Sequence, residues 1–102
     1  MAEFEPVLPE ADLPAQGFRA VELCRVSLLV GRANGQLFAC IDRCPHSAAP
    51  LRIGKLRGEE LQCALHGWIF NVSTGCSVPE NPAFCLKTIP IKIEGSQVLV
   101  SL

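Results

Sequence analysis

The chain has 102 residues and a formal net charge of −1, with 49% hydrophobic and 19% charged residues. This length predicts one domain over residues 1–102, and the near-neutral charge argues against a nucleic-acid-binding protein. The first residues are acidic, unlike an export signal, and no apolar run approaches the ~18 residues of a membrane span, so we expect a cytoplasmic protein.

The predicted elements are all β-strands. Alternating apolar and polar residues, short apolar runs and turn signals support this assignment. In chain order, strands are predicted within residues 1–16 (an edge strand, then an irregular connection) and at 18–24, 27–32, 36–41, 60–63, 69–72, 86–94 and 97–102. Asn34-Gly35 is the strongest hairpin signal, because a type I′ turn needs positive φ at both central positions. No stretch favours a helix, so we predict an all-β domain of stacked antiparallel sheets.

Three details of this assignment can be compared with the structure. Residues 51–58 are expected to be a connecting segment without a strand. Pro90 falls on the outward face of its strand, which suggests an exposed edge there. In the last strand, Val98, Val100 and Leu102 are expected to face the same way.

Two short motifs each pair a cysteine with a histidine, and together they contain both histidines of the chain. Cys44-Pro45-His46 follows the strand at 36–41, and Cys63-Ala64-Leu65-His66 follows the strand at 60–63. Two Cys-His pairs on two loops can form a four-ligand metal site. We therefore predict a site built from Cys44, His46, Cys63 and His66 at one tip of the domain.

Zinc, a two-iron cluster and no metal at all are the alternatives for these residues. Two cysteines and two histidines can hold tetrahedral zinc, but zinc fingers usually place cysteines in one knuckle and histidines in the other. A Rieske-type [2Fe-2S] cluster has two histidines on one iron and two cysteines on the other, so each loop must supply one of each. The mixed spacing C-x-H and C-x-x-H favours the cluster.

At Cys44-Pro45-His46 and Cys63-Ala64-Leu65-His66-Gly67-Trp68 the sequence resembles the Rieske family, specifically the small ferredoxins of bacterial ring-hydroxylating dioxygenase systems. The resemblance implies a Rieske-like fold with two cluster-binding loops at one tip. It also implies one [2Fe-2S] cluster, held by the four residues named above, and no catalytic residue.

The resemblance further implies a one-electron carrier in aromatic hydrocarbon catabolism. Its partners would be a flavin-containing, NAD(P)H-dependent ferredoxin reductase and a terminal Rieske non-haem iron oxygenase, and the carrier itself would be a monomer. The alternative is the small Rieske-type subunit of an assimilatory nitrite reductase, because the ligand motif recurs there.

Departures from the respiratory Rieske pattern indicate a low reduction potential. Ala49 and Leu65 replace the cysteines that form a disulfide between the cluster loops of respiratory subunits. Trp68 and Phe70 replace the serine and tyrosine whose hydroxyls donate to sulfur. Such hydrogen bonds stabilise the reduced cluster, so their absence places the expected potential near the low end of the Rieske range, about −150 mV.

The other four cysteines are expected to be reduced, with a bridge between Cys76 and Cys85, which flank a proline-containing loop, as the less favoured alternative. Cys24, Cys40, Cys76 and Cys85 remain after the two ligands are assigned, and disulfides are rare in the cytosol.

Charge is uneven along the chain. Residues 43–57 contain three arginines and one lysine and no acid, whereas residues 1–22 are mainly acidic. This basic segment is either an ordinary solvated surface or a fringe near the cluster that steers acidic partners.

Overall fold

The structure is a computed structural model that describes residues 3–44, 50–64, 67–77 and 85–102. Within these residues the fold is all-β, as predicted, with two short 3-10 turns at Glu10–Asp12 and Leu51–Ile53. The strands are β1 Glu5–Pro9, β2 Gly17–Leu23, β3 Val26–Ala33, β4 Gln36–Ile41, β5 Lys55–Arg57, β6 Glu60–Gln62, β7 Ile69–Asn71, β8 Ile91–Glu94 and β9 Gln97–Val100. No helix in this part of the chain is long and apolar enough to cross a membrane.

The strands form three antiparallel sheets of three strands each. Two sheets are meanders of consecutive strands, β2-β3-β4 and β5-β6-β7. The third has the order β1-β9-β8, so the first strand of the chain pairs beside the last one, with Glu5 opposite Val100. Antiparallel meanders need only short turns, which explains how a chain of this length builds three sheets.

The central sheet β2-β3-β4 is buried on both faces, because successive side chains of a strand point to opposite sides. Leu29 and Cys40 lie opposite each other in the register and face one side, while Val30 and Ala39 face the other. The first core contains Leu29, Ala33, Phe38, Cys40, Cys44, Leu51, Leu61, Cys63, Phe70, Val72 and Leu86. The second core contains Leu13, Leu28, Val30, Ala39, Ile89, Val98 and Val100.

The hairpin predicted at Asn34-Gly35 is confirmed. Their φ angles are 52° and 82°, as a type I′ turn requires. A second turn of this kind joins β2 to β3 at Cys24 and Arg25, with φ angles of 52° and 64°. Because neither residue is glycine, each costs on the order of 1 kcal/mol in this left-handed conformation, and the sequence carried no signal for it.

The prediction of a connecting segment at residues 51–58 is wrong in part. Leu51–Ile53 forms a 3-10 turn and Lys55–Arg57 forms β5, which pairs with β6. The reason lies in tertiary structure, since β5 is too short to be recognised from its own three residues and depends on its partner strand.

The strand predicted at residues 86–94 is divided at Pro90. Before the proline the chain bonds to β4, where Ile41 N donates to Lys87 O (3.0 Å) and Ile89 N donates to Ala39 O (2.8 Å). After it, the chain pairs with β9 as β8. Pro90 itself is exposed, as predicted. The segment therefore joins the central sheet to the β1-β9-β8 sheet.

The prediction for the last strand holds for two of its three residues. Val98 and Val100 are fully buried, but Leu102 is 51% exposed because it lies beyond the end of β9.

The expectation that all four remaining cysteines are reduced is wrong. Cys76 and Cys85 form a disulfide, which sits where an isolated antiparallel bridge brings the same two residues side by side. Cys24 and Cys40 are free, the first exposed and the second buried. The rarity of disulfides in the cytosol says nothing about a bridge that forms because two backbone segments lie side by side. The disulfide joins residues with a sequence separation of 9. Closing a loop of this length stabilises the fold by about 3 kcal/mol in the chain-entropy estimate.

Counting thiols will check the cysteine assignment. Burial, and secondarily the Asp42 carboxylate, raise the pKa of Cys40 from 9.0 to about 12, so its thiol stays neutral and shielded at pH 8. A maleimide should therefore label one thiol of the native protein, Cys24. After unfolding without a reductant it should label the four cysteines outside the disulfide, and after reduction all six. Six labels without reduction would contradict the disulfide, and Cys24→Ser should abolish native labelling.

Candidate metal centre

Cys44 lies just beyond the end of β4 and is fully buried. β4 ends at Ile41, whose N–H donates to Lys87 O. Arg43 N then donates to Ile41 O at 2.8 Å, and this bond turns the chain away from the sheet. This turn carries Cys44 under the sheet and into the first core.

Cys63 lies immediately after β6 and is 1% exposed. Its N–H donates to Trp68 O at 2.7 Å, so these two residues close the base of the β6–β7 loop. Gly67 within that loop has a φ of +68°, which favours glycine over other residues. Gly67 is thus required by the turn that returns the chain to β7.

The structure brings the two predicted cysteine ligands into the same core. Cys44 and Cys63 both belong to the first core, where Leu51, Leu61 and Phe70 are also buried. The predicted partners His46 and His66 lie outside the described residues. The part of the chain that the structure describes contains no group of three or more potential metal-ligating side chains.

The chemistry of these two thiols fits an iron–sulfur group. Neither cysteine is part of a disulfide, both are buried, and they come from two separate loops. Thiolate is the soft ligand that iron–sulfur clusters and zinc prefer. Metal ligation uses the thiolate, and a metal group beside Cys44 and Cys63 would supply the compensating cation that a buried thiolate needs.

Asp42 closes the first loop, a role that the sequence analysis missed. Its fully buried carboxylate accepts hydrogen bonds from Ser27 Oγ (2.9 Å), Arg52 N (2.9 Å) and Arg52 Nη1 (2.8 Å). Asp42 precedes Cys44 by two residues and Arg52 follows the loop, so one carboxylate ties both ends of the loop to the start of β3. Only the tertiary structure shows this, because the partners are 10 and 15 residues away.

We call these contacts of Asp42 with Ser27 and Arg52 the Asp42 clamp. The clamp changes the interpretation of the basic segment at residues 43–57. Arg52 is held by Asp42, although its side chain remains 52% exposed. Arg57 lies opposite Glu60 in the β5–β6 register, at the far end of β5 from Cys63. Arg43 and Lys55 are exposed, and within the described residues no carboxylate forms an ion pair with either.

Aromatic side chains line the second loop. Phe70 is fully buried in the first core, and Trp68 is partly buried against it. Their ring centroids are 6.4 Å apart with 25° between the ring planes. Trp68 therefore packs against the first core, and neither residue offers a hydroxyl.

Comparisons with known proteins agree with this geometry. A family model described as "Rieske [2Fe-2S] domain" matches residues 3–90. The ferredoxin component of the naphthalene 1,2-dioxygenase system of Pseudomonas aeruginosa is 33% identical over 95 residues, which cover 93% of this chain and 86% of that protein.

Solved structures show the same fold. The ferredoxin of Sphingomonas yanoikuyae B1 superposes with a TM-score of 0.84 and 25% identity, covering 98% of this chain and 99% of that one. A chain in the complex of reduced oxygenase and oxidized ferredoxin in carbazole 1,9a-dioxygenase also gives a TM-score of 0.84, with 29% identity and coverage of 96% and 92%. The chain spans 33% of the length of NdmA from Pseudomonas putida CBB5, so this fold also occurs within longer proteins. The predicted Rieske-like fold is confirmed.

The Asp42 clamp makes a prediction about stability. Asp42→Ala should lower the free energy of unfolding by about 2 kcal/mol, because it leaves the Arg52 N–H and Ser27 hydroxyl without their acceptor. Ser27→Ala, which removes only one donor, should cost about 1 kcal/mol. Chemical denaturation monitored by circular dichroism measures both. Equal stability of Asp42→Ala and the wild type would contradict the clamp.

Proposed function

The chain belongs to the Rieske [2Fe-2S] domain family, and from this premise we propose that it is a one-electron carrier of an aromatic-ring dioxygenase system. It would accept electrons from an NAD(P)H-dependent flavin reductase and deliver them to the terminal oxygenase. The observation that carries the proposal is the pair of buried thiols, Cys44 and Cys63, on two loops of a fold that matches a ferredoxin component along most of its length.

The cofactor is a Rieske-type [2Fe-2S] cluster, as the sequence predicted, because the matching family model is defined by it. This sets aside zinc and the metal-free alternative. The bound cluster supplies a single-electron redox couple.

We assign the ligands as Cys44, His46, Cys63 and His66. The cysteines would hold one iron from the buried side of the site, and the histidines would hold the other. Two features support the assignment: both thiols are buried in the first core, and each motif places its histidine two or three residues after its cysteine.

The carrier role, rather than catalysis, follows from the relatives. The relative from Pseudomonas aeruginosa, matched over 86% of its length, is named as the ferredoxin component of a naphthalene 1,2-dioxygenase system. The nitrite reductase alternative is not favoured, because two of the relatives reported above belong by name to a dioxygenase system or to a complex of an oxygenase with a ferredoxin.

The proposal also covers domain organisation, location and oligomeric state. We propose that residues 1–102 form a single domain, that the protein is a cytoplasmic monomer, and that it docks in turn with its reductase and its oxygenase.

Reconstitution tests the function. The cluster-loaded protein is combined with NADH and with purified reductase and oxygenase encoded near its gene, and oxygenated aromatic product is measured. Product should require all three proteins. Product formation at an unchanged rate without the carrier, or reduction of nitrite in place of oxygenation, would overturn the proposal.

The ligand assignment predicts the effect of single substitutions. His46→Ala and His66→Ala should each abolish the Rieske-type electron paramagnetic resonance signal, because each removes one imidazole from the same iron. Cys40→Ala is the matched control, since Cys40 is a buried cysteine of the same core outside the motifs, and it should retain the signal. Full signal intensity in either histidine variant would refute the assignment.

The absence of a hydroxyl at Phe70 predicts a low potential that a substitution can raise. Phe70→Tyr adds a buried donor in the same core as both thiols, and a bond about 1 kcal/mol stronger to the reduced state raises the midpoint by about 40 mV. Phe38→Tyr, in the same core but on the central sheet, should leave the midpoint unchanged. Voltammetry at pH 7 measures both, and an unshifted Phe70→Tyr would show that the hydroxyl does not reach sulfur.

A further inference from the structure

The turn Leu51–Ile53 has an inner and an outer side at the metal centre. Leu51 is fully buried in the first core with Cys44 and Cys63. Ile53, two residues later, is 59% exposed. The other exposed large apolar side chains of the described residues, Phe4 and Leu102, lie near the chain ends. Ile53 is therefore an exposed branched side chain on the same turn that buries Leu51 beside Cys44 and Cys63.

Ile53 belongs to a surface hollow that reaches Cys63. The hollow is also lined by Lys55, Ala64 and Gly67. Ala64 and Gly67 are exposed and have almost no side chain, so this surface is open to close approach by another protein. We call Ile53, Lys55, Ala64 and Gly67 the tip patch.

Positive charge borders the tip patch. Lys55 lies in it, Arg43 adjoins Cys44, and the half-exposed guanidinium of Arg52 neighbours Ile53 in the chain. The described residues between 43 and 58 include no acidic side chain. Basic side chains therefore outnumber acidic ones beside the tip patch, although the net charge of the protein is only −1.

We propose that the tip patch docks the terminal oxygenase, with Ile53 inserted into an apolar recess that carries an acidic rim facing Lys55 and Arg43. This inference rests on the proposed function and specifies the chemistry of its partner. Transfer moves one electron, so the ferredoxin is oxidised and the oxygenase is reduced, with no bond made or broken.

The physical roles of the two kinds of residue differ. An apolar anchor at the centre of a small interface supplies much of its binding energy. Rim charges mainly accelerate and orient the encounter, and their effect is screened by salt. This division suits a transient electron-transfer complex, which is small and must separate quickly. Docking there also places the partner directly over Cys63.

The oxygenase is chosen as occupant because a chain similar to this one along 96% of its length is found in a complex of an oxygenase and a ferredoxin. The flavin reductase is the competing occupant, and the experiment separates the two. Each variant is therefore measured with both partners from the reconstituted system.

The test is stopped-flow oxidation of the reduced, cluster-loaded protein by an excess of oxidised oxygenase. The wild-type second-order rate constant should fall about tenfold between about 20 mM and about 300 mM salt. Lys55→Gln should be about fivefold slower at low salt and equal to the wild type at high salt. Ile53→Ser should be about tenfold slower at both.

Matched variants control for general surface effects. Arg57→Gln removes a charge from the same strand, two residues farther from Cys63, and should change the rate less than about twofold. Leu102→Ser removes an equally exposed apolar side chain at the chain end and should have no effect. Melting temperature and the cluster's absorption spectrum confirm that every variant is folded and loaded.

The outcomes are distinct. If the wild type reduces no oxygenase, the proposed function fails. If it does so but the rate rises with salt, the acidic rim is wrong. If Ile53→Ser transfers electrons to the oxygenase with the same rate constant as Leu102→Ser, Ile53 is not an anchor of the complex. If the tip variants slow reduction by the flavin reductase and leave transfer to the oxygenase intact, the tip patch belongs to the reductase and the inference is overturned.

Discussion

Burial of two cysteine thiols in one apolar core is the constraint on which the rest of the structure depends. Cys44 and Cys63 come from loops of two different sheets, and both reach the core between those sheets. A short chain buries a limited core, so binding a metal group at this point also fastens the two sheets to each other. The central sheet is apolar on both faces. One face packs toward the thiols and the other packs toward β9.

Two further restraints keep the loops of this site in place. The Asp42 carboxylate joins the beginning and the end of the first loop, and it is itself fully buried, although the Arg52 side chain that it holds is half-exposed. The Cys76–Cys85 disulfide holds the chain where it leaves and rejoins the region beside β7. Polar contacts therefore fix the ends of the first loop, a covalent link fixes the segment beside β7, and apolar packing holds the sheets together.

Most strands could be predicted because each carries its own signal. The hairpin at Asn34-Gly35 was recognised from two residues, since few others adopt that turn. β5 and the division at Pro90 were missed, because both depend on which strand lies alongside rather than on local pattern. The turn at Cys24 and Arg25 was missed for the same reason, as tertiary pairing of β2 with β3 imposes positive φ on residues that do not favour it.

The sequence by itself determined the chemistry of this protein, because metal ligation depends on residue type and short spacing. A Rieske cluster is predicted from the spacing of Cys44, His46, Cys63 and His66, and the family match confirms this cluster as the cofactor. The tertiary structure alone decided which residues surround that chemistry. Asp42 becomes a clamp, and Ile53 and Lys55 become an exposed surface above Cys63, through contacts between residues that are distant in the chain. Such contacts arise from the packing of sheets, which no short stretch of sequence encodes.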